Sequence, residues 1–298
     1  MSLQQVTHTA SEEPDDVFAG LLHYRLFTEA ELARWRMEDI PWSAIDKRLV
    51  TPNVRAIVRQ LASAELTTYS ATRRFLQEFG DDIDFTQWMS VWFYEETKHP
   101  QALMSWMHEV GETFSAGEVV RGRITAPFMK SRLGMLVTNV ISEVHASALY
   151  VALARVTNEP VLKQIARHIA GDEARHATGF YAYARRTLER SKTPALDRLE
   201  VLKVLHMWLN QNGNVQHPVN TVGLRTSSEK ALLEEWSEAM TDDLIIHQQS
   251  LTQQQVTRDR ALGLIGNLLS LDLPTPEVVM ERIRELSVPA RKANATWA

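Results

Sequence analysis

Glu95-Glu96-Thr97-Lys98-His99 and Asp172-Glu173-Ala174-Arg175-His176 are two copies of one pattern: acid, glutamate, any residue, base, histidine. On an α-helix, residues three apart sit one turn apart on the same face. Glu96 and His99 can therefore point at one cation, and Glu173 and His176 at another. A single Glu-x-x-His carries little weight, because chance supplies roughly one in a chain of this composition. Two copies with matching flanks, each inside a long helical stretch, are hard to obtain by accident. Carboxylate oxygens with one imidazole nitrogen per cation suit iron or manganese.

The surrounding sequence is rich in helix formers and sparse in Gly and Pro, and no stretch shows the period-2 alternation of a sheet. Long helices are expected at about 53–79, 84–110, 128–157 and 160–191. Gly80-Asp81-Asp82, Gly111, Asn158-Glu159-Pro160 and Ser191-Lys192-Thr193-Pro194 end them. At 1.5 Å per residue each spans about 40–48 Å, the length of a long four-helix bundle. A short helix at 28–37, a turn at Asp39-Ile40-Pro41-Trp42 and a linker with a short helix over 112–126 are also expected. Further helices follow at 195–211, 227–249, 253–271 and 275–286, with a loop or lid at 211–226.

A binuclear centre in such a bundle needs one further carboxylate from each of the other two helices. Glu65 lies 31 residues before Glu96, and Glu143 lies 30 before Glu173; both sit mid-helix in mainly apolar surroundings. Carboxylates there are rarely buried without a partner. Four carboxylates balance two ferrous ions in charge.

The bulk composition narrows the rest. The 298 residues are 44% hydrophobic and 23% charged, with a net charge of -5, which is ordinary for a globular protein and gives no sign of nucleic-acid binding. There are no cysteines, so disulfides, iron–sulfur clusters and thiol catalysis are excluded, and any electrons must come from outside the chain. Residues 1–20 lack a secretory signal and are expected to be disordered. No stretch is expected to reach the apolar length of a membrane span, and the expected location is the cytoplasm.

The two ligand segments, WFYEETKHPQAL and IAGDEARHATGFY, together with Glu65 and Glu143, resemble the ferritin-like di-iron carboxylate oxidases. The likeness is greatest to the soluble acyl-acyl-carrier-protein desaturases, whose aromatic-proline motif is similar to Glu38-Asp39-Ile40-Pro41-Trp42, and it covers about residues 37–190. It implies an all-α, ferritin-like domain over 21–298, with a core bundle at about 50–192 and the helices of 195–290 packed on it. Glu65 with Glu96 and His99 would serve one iron, and Glu143 with Glu173 and His176 the other, Glu96 and Glu173 bridging. Glu95 and Asp172 would accept the second ring N–H of a ligand histidine. The implied activity is dioxygen-dependent desaturation of a fatty acyl chain held on acyl-carrier protein, in a homodimer fed by a ferredoxin-like or flavoprotein electron donor. Hydroxylation or N-oxygenation is the alternative enzyme reading. An iron-storage protein and a metal-free structural bundle are the readings from other classes.

The chain departs from those families at three places. Pro100 follows His99, which predicts a kink or π-bulge beside the centre. Ala146 stands where plant-type desaturases carry a Thr, and Ile169 where arylamine N-oxygenases carry a His. Trp92, one turn before Glu96, is a candidate electron relay as well as a core aromatic. His145 is expected to face away from the centre, and His168 to bond Asp172. Tyr69 and Tyr150 are expected in the core. Ala146, Ser147, Ala148 and Gly179 either leave a groove for an acyl chain or let helices pack closely. Arg121, Arg123, Lys130, Arg132, Arg185, Arg186, Arg190 and Lys192 either dock an acidic carrier or form a solvated face.

Overall fold

A computed structural model describes residues 21–123, 129–209 and 244–295. Among them the chain is all-α, without a strand. The helices are α1 (Leu22–Ala33), α2 (Pro52–Glu65), α3 (Thr68–Glu78), α4 (Ile83–Glu109) and α5 (Ala116–Gly122). There follow α6 (Arg132–Val156), α7 (Pro160–Glu189), α8 (Pro194–Leu209), α9 (Leu244–Leu269) and α10 (Pro276–Ala295). Three short 3-10 turns, at Met37–Asp39, Trp42–Ala44 and Lys47–Leu49, carry the chain from α1 to α2.

The long helices begin on side-chain caps, which satisfy amides that have no partner within the helix. Thr51 caps α2, with Pro52 in the first turn, and Asp82 caps α4. Ser131 caps α6 by accepting from Gly134 N at 2.8 Å. Glu159 caps α7 by accepting from Val161 N at 3.2 Å and Leu162 N at 2.7 Å. Gly111, just beyond α4, has φ +90, the left-handed conformation in which a helix can end at little steric cost.

Helix α4 packs against α2, α3 and α7, and α6 packs against α7. Two apolar clusters divide this assembly. One, around Phe75, takes Ala71 and Phe79 from α3, Phe85, Trp88 and Trp92 from α4, residues 133–141 of α6, and Phe180 and Tyr183 from α7. The other, around Trp106, takes Val54, Val58 and Ala62 from α2, Leu103 from α4, Tyr150 and Leu153 from α6, and residues 161–170 of α7. Each segment passes from one cluster to the other. The α2–α3 segment and α7 run from the Trp106 cluster to the Phe75 cluster, whereas α4 and α6 run the opposite way. Helices α4 and α6, consecutive among the long helices, are therefore parallel. Helix α8 packs on α6, α9 on both, and α10 on α8; residues of all three join the Phe75 cluster.

Several boundaries differ from the sequence reading. The helix expected at 53–79 is two, interrupted at Leu66–Thr67, so Glu65 ends α2 rather than lying mid-helix. No Gly or Pro marks the interruption. Helix α4 continues as α-helix through Pro100, without the expected π-bulge. Buried Lys98, His99, Ala102 and Leu103 hold it on both sides of the proline. Helix α1 starts six residues before position 28, for a reason lying on α4: Asp84 accepts from Leu22 N and His23 N at 3.3 and 2.9 Å, capping α1 from another element. Helix α9 is continuous where a break near 250–252 was expected, and α10 runs on through Pro289. Residues 1–20 and the expected 211–226 loop lie outside the described residues.

Helix α6 also corrects the reading on membrane spans. It is long and apolar enough by length and composition to cross a membrane. In this fold 67% of its most apolar stretch is buried inside the protein.

Candidate metal centre

Between the two apolar clusters lies a polar layer. Glu65, Glu96, His99, Glu143, Glu173 and His176 all meet there, each no more than 9% exposed. Glu65, Glu96, His99 and Glu173 bring one donor atom apiece within 4.8 Å of one another; so do Glu96, Glu143, Glu173 and His176. The two groups share Glu96 and Glu173. This buried Glu/His layer has the donor atoms to hold metal.

The imidazoles are aimed from behind. His99 Nε2 donates to Asp172 Oδ2 at 3.1 Å, and His176 Nε2 donates to Glu95 Oε2 at 3.1 Å. The acid of each pentapeptide thus serves the histidine of the other, straddling α4 and α7. A carboxylate in this position fixes the ring and its tautomer, leaving Nδ1 of each ring facing the carboxylate layer. His176 Nδ1 lies 2.9 Å from Glu96 Oε1 and 3.3 Å from Glu173 Oε2. His99 Nδ1 lies 3.4 Å from Glu173 Oε1, 3.5 Å from Glu65 Oε2 and 3.9 Å from Glu96 Oε2. It is fully buried and makes no hydrogen bond. A buried nitrogen facing three carboxylates fits a site for a cation.

Crowding four carboxylates in a dry layer shifts their protonation. Burial, reinforced by the charges of Glu173 and Glu96, pushes Glu143 well above the carboxylate range. Burial and the Glu173 charge push Glu96 up to about 7, and burial also raises Glu65. For Glu173, burial acts upward but loses to the two histidines, which hold it below the usual range. Burial likewise opposes charge on His99 and His176. The carboxylates around them outweigh it and raise both rings well above an ordinary imidazole. The layer attracts positive charge strongly.

Other residues complete the site, most of them without an assigned role in the sequence reading. Trp35 Nε1 donates to Asp172 Oδ2 at 2.8 Å. Lys98, the base of the first pentapeptide, is buried with Nζ 3.7 Å from the same oxygen and 4.6 Å from the Trp35 ring centroid. Arg175, the base of the second, donates to Glu95 Oε1 at 2.9 Å and also to Asp172 Oδ1. Thr68 Oγ1 donates to Glu96 Oε2 at 2.9 Å, and the Tyr150 hydroxyl donates to Glu65 Oε1. The repeated base in the motif was the available signal for Lys98 and Arg175. Trp35 lies 137 residues from Asp172 and left no local signal.

The remaining candidates fall into place around the layer. Trp92 is buried in the Phe75 cluster, its ring 6.3 Å from that of His176. His145 points toward α8, its ring 6.4 Å from Trp208, and burial lowers its basicity. His168 stacks on Trp35 at 5.2 Å and hydrogen-bonds Gln164 rather than Asp172, whose oxygens are bonded by Trp35, His99 and Arg175. Tyr69 packs edge-on against Phe93 at 5.3 Å. At Gly179 the space is filled by Trp88, and Ser147 Oγ donates to Ala170 O at 2.9 Å, so both serve close packing. Arg132 pairs with Asp81, Arg185 with Glu189, and Arg186 with Asp82 and Asp84, which spends much of the basic face within the chain. Two surface clefts, of about 550 and 460 Å³, open beside Trp42–Met104 and Val50–Met107 and are not lined by the Glu/His layer.

These residues define an all-α protein with a buried carboxylate–imidazole layer able to hold metal. Compared with protein-family models and with curated proteins, the chain matches none.

Proposed function

We propose that this chain is a di-iron oxidoreductase of ferritin-like fold that uses dioxygen. The observation that carries the reading is the sharing of Glu96 and Glu173 by two adjacent donor groups, each completed by one histidine and one further glutamate. Two-fold sharing of this kind suits a pair of cations better than one. The helix directions add support: two antiparallel pairs in which the second and third long helices are parallel suit the single crossover of ferritin-like bundles.

Glu65 and His99 would hold one iron, Glu143 and His176 the other, with Glu96 and Glu173 between them. When bound, a ferrous pair supplies dioxygen activation, chemistry that the side chains of this chain cannot perform alone. The protein's part is positional. Asp172 and Glu95 fix both imidazoles, the four carboxylates neutralise the cations, and the apolar clusters above and below exclude water. Trp92, beside His176, is the proposed electron relay from an external donor.

Desaturation of an acyl chain on acyl-carrier protein is the favoured reaction, on the likeness of the ligand segments. Ala146, in place of a hydroxyl-bearing residue, favours oxygen insertion as the second reading. Metal analysis after growth in iron-replete medium tests the centre: about two irons per chain are expected, with loss in Glu173→Ala. Metal-free wild-type protein would eliminate the proposal. Single-turnover mass spectrometry of candidate substrates separates the reactions, since desaturation removes two hydrogens and insertion adds one oxygen.

A further inference from the structure

The two halves of the layer are braced unequally. On the His99 half, a hydroxyl reaches in from outside the layer. The Tyr150 hydroxyl donates to Glu65 Oε1, leaving Oε2 toward His99. Thr68 Oγ1 donates to Glu96 Oε2 and leaves Oε1 toward His176, so it braces a carboxylate that both halves share. The acid behind His99 is also the more heavily held: Asp172 takes Trp35 Nε1, Arg175 and the nearby Lys98 ammonium, whereas Glu95 takes Arg175 besides His176. On the other half, Ala146 and Ser147 bring Glu143 no donor: Ala146 has none, and Ser147 is committed to Ala170 O. Glu143 instead shares a hydrogen bond with Glu173, itself a member of the layer.

A carboxylate with one oxygen tied to a hydroxyl keeps its other oxygen aimed. A carboxylate whose partner is another ligand must give up that bond, and be held anew, when both bind. We infer that the halves load in order: the Glu65/Glu96/His99 half takes the first metal ion tightly, with Tyr150 as its positioning residue, and the Glu143/His176 half takes the second more weakly. The inference rests on the binuclear reading above but does not follow from it, since a pair of equally braced halves would load together.

The test is titration of metal-free protein with Co(II), followed by calorimetry and visible absorption. Wild-type protein is expected to show two successive events, the tighter first. Tyr150→Phe removes one oxygen from a buried side chain and should weaken the first event about 10–100-fold while leaving the second in place. Glu143→Gln should weaken the second event and spare the first, and its retained first event would show that the variant is folded. Two equivalent events in wild type, or a Tyr150→Phe effect confined to the second, would overturn the inference and leave the binuclear reading standing. No Co(II) bound at all would overturn both.

Discussion

Gly179 of α7 lies against the indole of Trp88 on α4 so closely that a Cβ placed on it would stand 2.2 Å from Cζ2 and 2.8 Å from Cε2. Trp88 is held on its other sides by Phe85, Phe180 and Tyr183, with ring separations of 5.9, 4.9 and 5.2 Å. The indole has no open side to move into, so Gly179→Ala must separate two helices that carry the proposed ligands. It is expected to destabilise the protein by about 1–3 kcal/mol, read by denaturant unfolding, with a lowered metal content as a secondary effect. A change smaller than about 0.5 kcal/mol would mean that the two helices leave room for a methyl group between them.

Glu159 is wholly buried and ties three elements together. Its Oε2 accepts from Leu162 N and from Trp106 Nε1, both at 2.7–2.8 Å, and its Oε1 accepts from Val161 N and Asp46 N. Glu159→Ala loses the cap of α7 and strands the buried indole N–H of Trp106. The expected cost is about 2–4 kcal/mol, combining a lost N-cap with an unsatisfied buried donor. Glu159→Gln keeps an acceptor and should cost less. Thermal melts of the pair decide it, and equal losses would deny the hydrogen bonds their role.

The membership of the buried Glu/His layer was more legible in the sequence than its scaffolding. Glu96 with His99 and Glu173 with His176 could be read because a three-residue spacing fixes a shared helical face. Glu65 and Glu143 could be read because a carboxylate in an apolar helix needs a partner. What stayed hidden depends on contacts far apart in the chain. The start of α1 is set by Asp84, 62 residues from Leu22. Trp35 reaches Asp172 across 137 residues. The interruption after Glu65 carries no breaker residue, and it places Thr68 at the head of α3, where its hydroxyl meets Glu96. Pro100 misled in the opposite direction, since local propensity favours a distortion that burial on both sides overrides.

The crossed pairing of acids and histidines yields a prediction that simple proximity in sequence would reverse. Asp172→Asn should disturb His99 on α4 rather than His176, four residues away on its own helix, and Glu95→Gln should disturb His176 rather than His99. Each is expected to lower metal affinity about 10–100-fold. Nitrogen NMR of the metal-free variants identifies the affected ring. A shift confined to the histidine of the same pentapeptide would contradict the crossed geometry.

The protonation pattern fixes the sign of the pH dependence of the metal-free protein. Glu96, raised by burial and by Glu173 to about 7, contributes stability that is complete below its unfolded value and disappears as pH rises through 7. Glu143, raised well above the carboxylate range by burial and the same neighbours, behaves alike at higher pH. The contributions of His99 and His176, both raised, are likewise intact in mild acid and lost on the alkaline side. Asp172 and Glu173 are held low despite burial, so theirs are present above an unfolded value of about 4 and fade only in stronger acid. Metal-free protein should therefore be most stable near about pH 5, with a melting temperature that falls toward about pH 8. Metal competes with those same protons, so binding should release protons into weakly buffered solution and tighten as pH rises, flattening or reversing the slope. Paired melts of chelator-treated and metal-loaded protein across this range give the comparison. If the chelator-treated protein instead gained stability steadily from about pH 5 to 8, the raised carboxylates and imidazoles would not be sharing one dry layer.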